Sequence, residues 1–272
     1  MKAAWIGAWA AALAAGTAAG QDAEHAKSRF TCGKDTTVIT QPRLPDGRPD
    51  YLGWLNARYG KGVTKDNNAA VLLVEVFGAD LLPEKGRAEV CRLLGIDPPP
   101  AEGQWKPLPF SAEADRQWVR SWQGGPWKPA ELPIADAWLD TNLPALAKII
   151  EASGSPRHFV PLMAEAPALP MLTLQITSIA KHQQACKALC ARANRSAGQG
   201  RPAAAWRDLL AAHRVGVLLE QQPSLLGQLV GIAVRDQATA ASTRLMTAGT
   251  FRPPLLHRVQ RELPSQSFCR TV

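Results

Sequence analysis

The sequence predicts an all-α fold, a helical bundle or a short helical-hairpin solenoid. Three observations predict it. No segment sustains an apolar–polar period of two, and the one β-branched run, residues 36–40, allows at most one short extended segment. Stretches of helical length are punctuated by capping residues, glycines and prolines. In the second half, Trp206, Leu209, Leu210, His213 and Val217 recur on one helix face.

Residues 1–20 read as a secretory signal. Lys2 is the only charge before Asp22, an alanine-rich apolar run follows, and Thr17, Ala18, Ala19 and Gly20 supply the small residues of a cleavage point. Cleavage is expected after Ala19 or Gly20. An uncleaved anchor is the second reading. It is disfavoured because the run is shorter and less apolar than the roughly 20 residues a spanning helix needs. Export places the chain outside the cytoplasm, periplasmic or secreted, where disulfides persist. The cysteines are Cys32, Cys91, Cys186, Cys190 and Cys269, an odd number that leaves at least one thiol unpaired, intermolecular or ligated.

Residues 21–49 form a flexible leader that ends in a Pro45-Asp46-Gly47 turn. Residues 50–97 form an N-terminal helical region. Asp50 caps a helix through Tyr59, Thr64 caps one through Phe77, and Pro83 opens a third that stops at Gly95. The proline-rich stretch 98–110 is expected to be a stiff linker and a domain boundary. A helical domain follows over residues 111–250. Ser111 caps its first helix, and a helix over 134–153 is expected to bend at Pro144. Long helices are expected over 171–197, 202–221 and from Pro223 to about Met246. Residues 251–272 read as an unpatterned tail.

The charge is uneven. Residues 180–272 hold thirteen Lys and Arg against four Asp and Glu, within a chain of net charge +8. Such a half suits an anionic envelope surface or a solvated helix face. Export and the lack of basic stretches interleaved with stacking aromatics argue against nucleic acid.

Residues 186–221 resemble a tetratricopeptide hairpin. Ala193, Gly200, Ala205, Leu209 and Ala212 stand at the motif's small-residue spacing, Ser196 replaces its tyrosine, and there is no second copy. Gly227 and Gly231 would allow another close helix approach. A wider resemblance covers most of the chain after the signal. It rests on residues 36–42, 45–51, Leu55-Asn56, 61–73, Pro156-Arg157-His158-Phe159, 205–210 and His213-Arg214. In these the chain is similar to a group of uncharacterised planctomycete-type exported or membrane-anchored proteins. The resemblance implies no activity. It implies a chain that continues past Val272, so that this one is a truncated member whose last helix lacks a packing partner.

Several residues invite chemistry. His182, Cys186 and Cys190 share one helix stripe, and an imidazole with two thiolates suits zinc or copper. They span about 12 Å, so at most two neighbours could share one ion. The competing reading is core packing. His213 lies on an apolar face, as a core histidine or a base. Glu75 interrupts an apolar run, as a solvent-facing residue or as an acid of raised pKa. Asp66, Asn67 and Asn68 crowd a helix start, which suits its dipole without a ligand. Trp105, Trp118, Trp122, Trp127 and Trp138 fit either a core or an aromatic platform. No nucleophile elbow, zincin motif, phosphate-binding loop or haem motif occurs, and no cofactor is implied. Three functions follow: a scaffold for a protein or peptide partner, a hydrolase of envelope polymers, or a metal- or thiol-dependent accessory protein.

Overall fold

The computed structural model describes residues 33–163 and 176–263, with side chains from 179 onward in the second stretch. The signal over residues 1–20, most of the leader, Cys32, Cys269 and the end of the expected tail lie outside the described residues. Ten α-helices and no strand occur among the described residues, so the all-α expectation holds. Residues 36–40 form turn and bend rather than strand.

The chain divides after Tyr51. In the first unit, the Pro-Asp-Gly turn forms as expected. Gly47 donates its N–H to the Leu44 carbonyl, and its positive φ of 85° suits glycine. Arg43 and Pro49 form an isolated antiparallel bridge around that turn.

The second unit starts with the body of α1 (Tyr51–Tyr59) and α2 (Ala69–Phe77). The α2 sequence is apolar all round except at Glu75, and such a helix belongs in a core. Seven of its nine residues are buried. Its cap is Asn68, whose side chain accepts the Ala70 N–H, and not Thr64, which precedes a separate 3-10 turn. Helix α3 (Arg87–Leu94) starts after Gly86, four residues later than Pro83 suggested, and ends at Gly95 as expected. Helix α4 (Ala112–Gln123) has Ser111 as its cap, accepting from the Ala114 N–H. Residues 134–153 do not form one bent helix. Asn142 separates α5 (Pro133–Thr141) from α6 (Leu143–Ser153). Pro144 sits in the first turn of α6, where its missing N–H costs no bond.

Stretch 98–110 is not a domain boundary. The helices on both sides of it belong to one compact unit, with α2 packed on α6. The stretch is a strap pinned to α2. The Pro100 carbonyl accepts the Ala79 N–H, and the Trp105 N–H donates to the Val76 carbonyl. Trp105 packs between Phe77 and Trp138, tilted to the first and edge-on to the second, and Trp118 meets Trp138 edge-on at 4.8 Å. The tryptophan-rich region is therefore largely core. A stiff segment still packs when its aromatic anchor has a pocket to fill.

Three long helices complete the unit: α7 (Ile176–Gly198), α8 (Pro202–Leu219) and α9 (Leu225–Thr247). Short turns make them consecutive antiparallel hairpins. Ala193, Ala205, Leu209 and Ala212 are completely buried between them. The closest approach of α8 and α9 is at Gly216 and Gly231. A Cβ on Gly231 would stand 2.7 Å from the Gly216 carbonyl oxygen, and one on Gly216 would stand 2.9 Å from the Gly231 oxygen. Backbone contact of this kind needs residues without side chains.

The tail expectation is corrected over residues 251–263. Helix α10 (Pro253–Glu262) folds there, and Phe251 and Val259 are buried. Its Pro253 and Pro254 open a helix, and its apolar residues face α8. The expected last helix, here α9, packs on α7 and α8.

Candidate functional site

Residues 156–162 form no strand. The Arg157 backbone pairs with Asn67 and Ala69 in an isolated parallel bridge, and side-chain amides hold the residues beyond it. Asn68 donates from Nδ2 to the Phe159 carbonyl and accepts the Phe159 N–H at Oδ1, at 2.8 and 3.0 Å. Asn56 does the same for Leu162, at 2.8 Å each way. Gln221 accepts the His158 N–H, and Gln222 donates to the His158 carbonyl. The backbone is thereby satisfied where water cannot reach it. Asn68, placed by the sequence at a helix start, is thus both a cap and a clamp.

Phe159 lines one side of this stretch and His158, Val160 and Leu162 the other, while Pro161 borders both. The first side is a groove of about 340 Å³ between α1, the 3-10 turn and the end of α3. Leu93, Leu94, Phe159 and Val63 give it apolar walls. Lys61 and Lys65 stand on its wall, both exposed, and among the described residues neither is in an ion pair and no carboxylate lines the groove. The second side is a cavity of about 30 Å³, walled by His158, His182, Met163 and apolar residues of α7 and α9.

The sequence candidates are placed apart from one another. Glu75 is exposed and pairs with Lys148 at 3.0 Å. His213 is buried, with Nε2 3.2 Å from the Ser242 hydroxyl. Neither lines the groove or the cavity. Cys186 and Cys190 are buried and not disulfide-bonded, and Cys186 donates to the Val234 carbonyl at 3.5 Å. The bond to Cys190 and burial hold the Cys186 thiol well above the usual range, which opposes the thiolate a metal needs. Among the described residues, no group of three or more His, Cys, Asp or Glu could hold a metal. His182, Cys186 and Cys190 stay spaced along α7 and are not gathered into a three-donor group. His182 instead meets His158 edge-on, with ring centroids 5.3 Å apart. Sequence reading missed His158 because it is 24 positions away and in no local pattern.

The basic half is partly neutralised internally. Arg192 pairs with Asp208, Arg195 with Asp136 and Asp140, and Arg235 with Glu220. Arg244 donates to the carbonyls of Trp122 and Gly124. Arg207 and Arg214 on α8 and Arg258 and Arg261 on α10 remain exposed.

Burial, and next the charge of its His182 neighbour, lowers His158 to about 3. Burial, and next Arg235, lowers His213 to about 4. Unfolded imidazoles titrate near 6.5. Below that pH the unfolded chain binds protons that the folded chain refuses. Stability is therefore full above pH 6.5 and falls as pH drops toward the folded values, by on the order of 1 kcal/mol per pH unit for each imidazole. Unfolding midpoints measured from pH 7.5 to 5 should decline below 6.5, with a shallower slope in His213→Gln. A flat profile would contradict this account of the two histidines.

No family model, no curated protein and no solved structure matches this chain.

Proposed function

We propose that the chain is an exported α-helical scaffold that binds an acidic peptide segment of a protein partner in the cell envelope. The groove over Phe159 carries this reading. It joins apolar walls to two exposed lysines and has no carboxylate among its described lining residues. An apolar side chain of the peptide enters between Leu93, Leu94 and Phe159, and its carboxylates reach Lys61 and Lys65. Half-exposed Leu93 supplies contact area that otherwise faces water. A floor fixed by Asn56 and Asn68 limits the ordering cost of binding. A hydrolase built on Glu75 or His213 has less support, because neither lies at the groove. The extracytoplasmic location rests on the character of residues 1–20. No helix among the described residues is long and apolar enough to cross a membrane. Exposed Arg207, Arg214 and Arg261 turn the basic side toward anionic envelope surfaces.

Fluorescence anisotropy with labelled acidic and basic peptides of matched apolar content tests the reading. The acidic peptides should bind and the basic ones should not. Lys61→Glu with Lys65→Glu should weaken binding by roughly tenfold or more, since a charge contact in a partly dry site contributes about 1–2 kcal/mol. Equal binding by both peptide classes, or no effect of the double substitution, would sink the groove as the site.

A further inference from the structure

We infer that the cavity behind the groove is a monovalent copper site formed by His158, His182 and Met163. The inference does not rest on the peptide reading. Two imidazoles on one metal, each with a nitrogen about 2.0 Å from it and bond angles of about 110–120°, have ring centroids about 5.2–5.5 Å apart. The observed separation is 5.3 Å, with the rings inclined at 71°. Edge-to-face ring pairs also adopt this spacing, so it permits a shared ion, and the unpaired buried nitrogen and the thioether of the same cavity favour one.

His158 is held for such a role. Its backbone N–H and carbonyl are both bonded, to Gln221 and Gln222. Its side chain is 3% exposed, and its Nδ1 has no hydrogen-bond partner among the described residues. A buried nitrogen left in that state is costly unless something occupies the cavity.

The surroundings select the ion. Met163 lines the same cavity and brings a thioether, while no Asp, Glu or Cys lines it. Two imidazoles and a thioether carry no charge. A divalent ion in this apolar space would lack compensating anions, whereas monovalent copper suits neutral, soft, low-coordinate donors. A volume of about 30 Å³ admits one small ion. It also admits one water bridging His158 Nδ1 to Gln222 Oε1, which is the competing occupant.

Anaerobic titration of the full chain with Cu(I), against a chromophoric chelator, tests the site. The chain should take up one equivalent, and X-ray absorption should show both nitrogen and sulfur donors. Met163→Leu conserves volume and should keep the helical circular dichroism while weakening copper by at least about tenfold. His158→Gln should abolish high-affinity uptake. Cys186→Ala with Cys190→Ala should leave it unchanged. No copper uptake would overturn the inference in favour of a water-filled cavity. So would uptake that survives His158→Gln and Met163→Leu, or one that disappears with the cysteines.

Discussion

Asp208→Ala is expected to lower folding stability by about 3–5 kcal/mol. Asp208 is 1% exposed and accepts two bonds from Arg192, each 2.8 Å long. The pair joins α7 to α8 within the core hairpin. Removing the carboxylate leaves the guanidinium of Arg192, whose side chain is 10% exposed, in a largely dry site without its partner. The loss measures that stranded charge more than the attraction in the intact pair. The double change Arg192→Met with Asp208→Leu should therefore recover most of the loss. Denaturant unfolding of the three proteins checks this. A double variant as unstable as Asp208→Ala would show that the helices need the ion pair itself.

Trp206→Ala is expected to cost about 3–5 kcal/mol and to release α10. Trp206 is completely buried on α8 and meets Phe251 edge-on, with ring centroids 6.3 Å apart. Its indole N–H donates to the Glu262 carboxylate at 2.7 Å. That bond, followed by one from Arg258, holds the Glu262 carboxyl below the ordinary carboxylate range. One side chain thus anchors both ends of the last helix. Trp206→Phe keeps most of the apolar volume and loses the hydrogen bond, so it should cost only about 1–2 kcal/mol. Hydrogen exchange should show rapid loss of protection over 253–262 in Trp206→Ala. Full protection there, with normal stability, would contradict this view of α10 as an integral element.

The helices of the second half were legible because their signals are local. Gly200 and Pro202 separate α7 from α8, and the face bearing Trp206, Leu209 and His213 follows helical spacing. The remainder depends on tertiary partners. Prolines 98–100 are stiff in sequence terms, yet Trp105 finds a pocket made by Phe77 and Trp138, some 30 residues apart on either side. Residues 251–263 looked unpatterned because a short helix with two opening prolines offers only Leu255, Leu256 and Val259 as a face. Asn142 overrode the expected bend by capturing the Trp138 carbonyl and the Lys106 N–H.

The site was less legible than the fold. Glu75 stands out in sequence for a reason unrelated to chemistry, since it is the exposed residue of a buried helix. The cysteines stand out because thiols can ligate metals, but both are buried in the core, where the bond to Cys190 and burial keep Cys186 protonated. His158, Asn56 and Asn68 fall in stretches that carry the family resemblance, but no local spacing joins them, or Gln221 and Gln222, into a site. Asn56, Asn68, Gln221 and Gln222 come from three regions of the chain and acquire a common purpose only where residues 156–162 pass between them.

The most direct measurement for the proposed function is hydrogen exchange of the full chain with and without a saturating acidic peptide. Binding in the groove predicts new protection at residues 56–65, 93–94 and 159–161, and none on the outer face of α9, where Leu225 and Leu229 are exposed. Protection confined to that α9 face, with the groove unchanged, would contradict the groove as the peptide site.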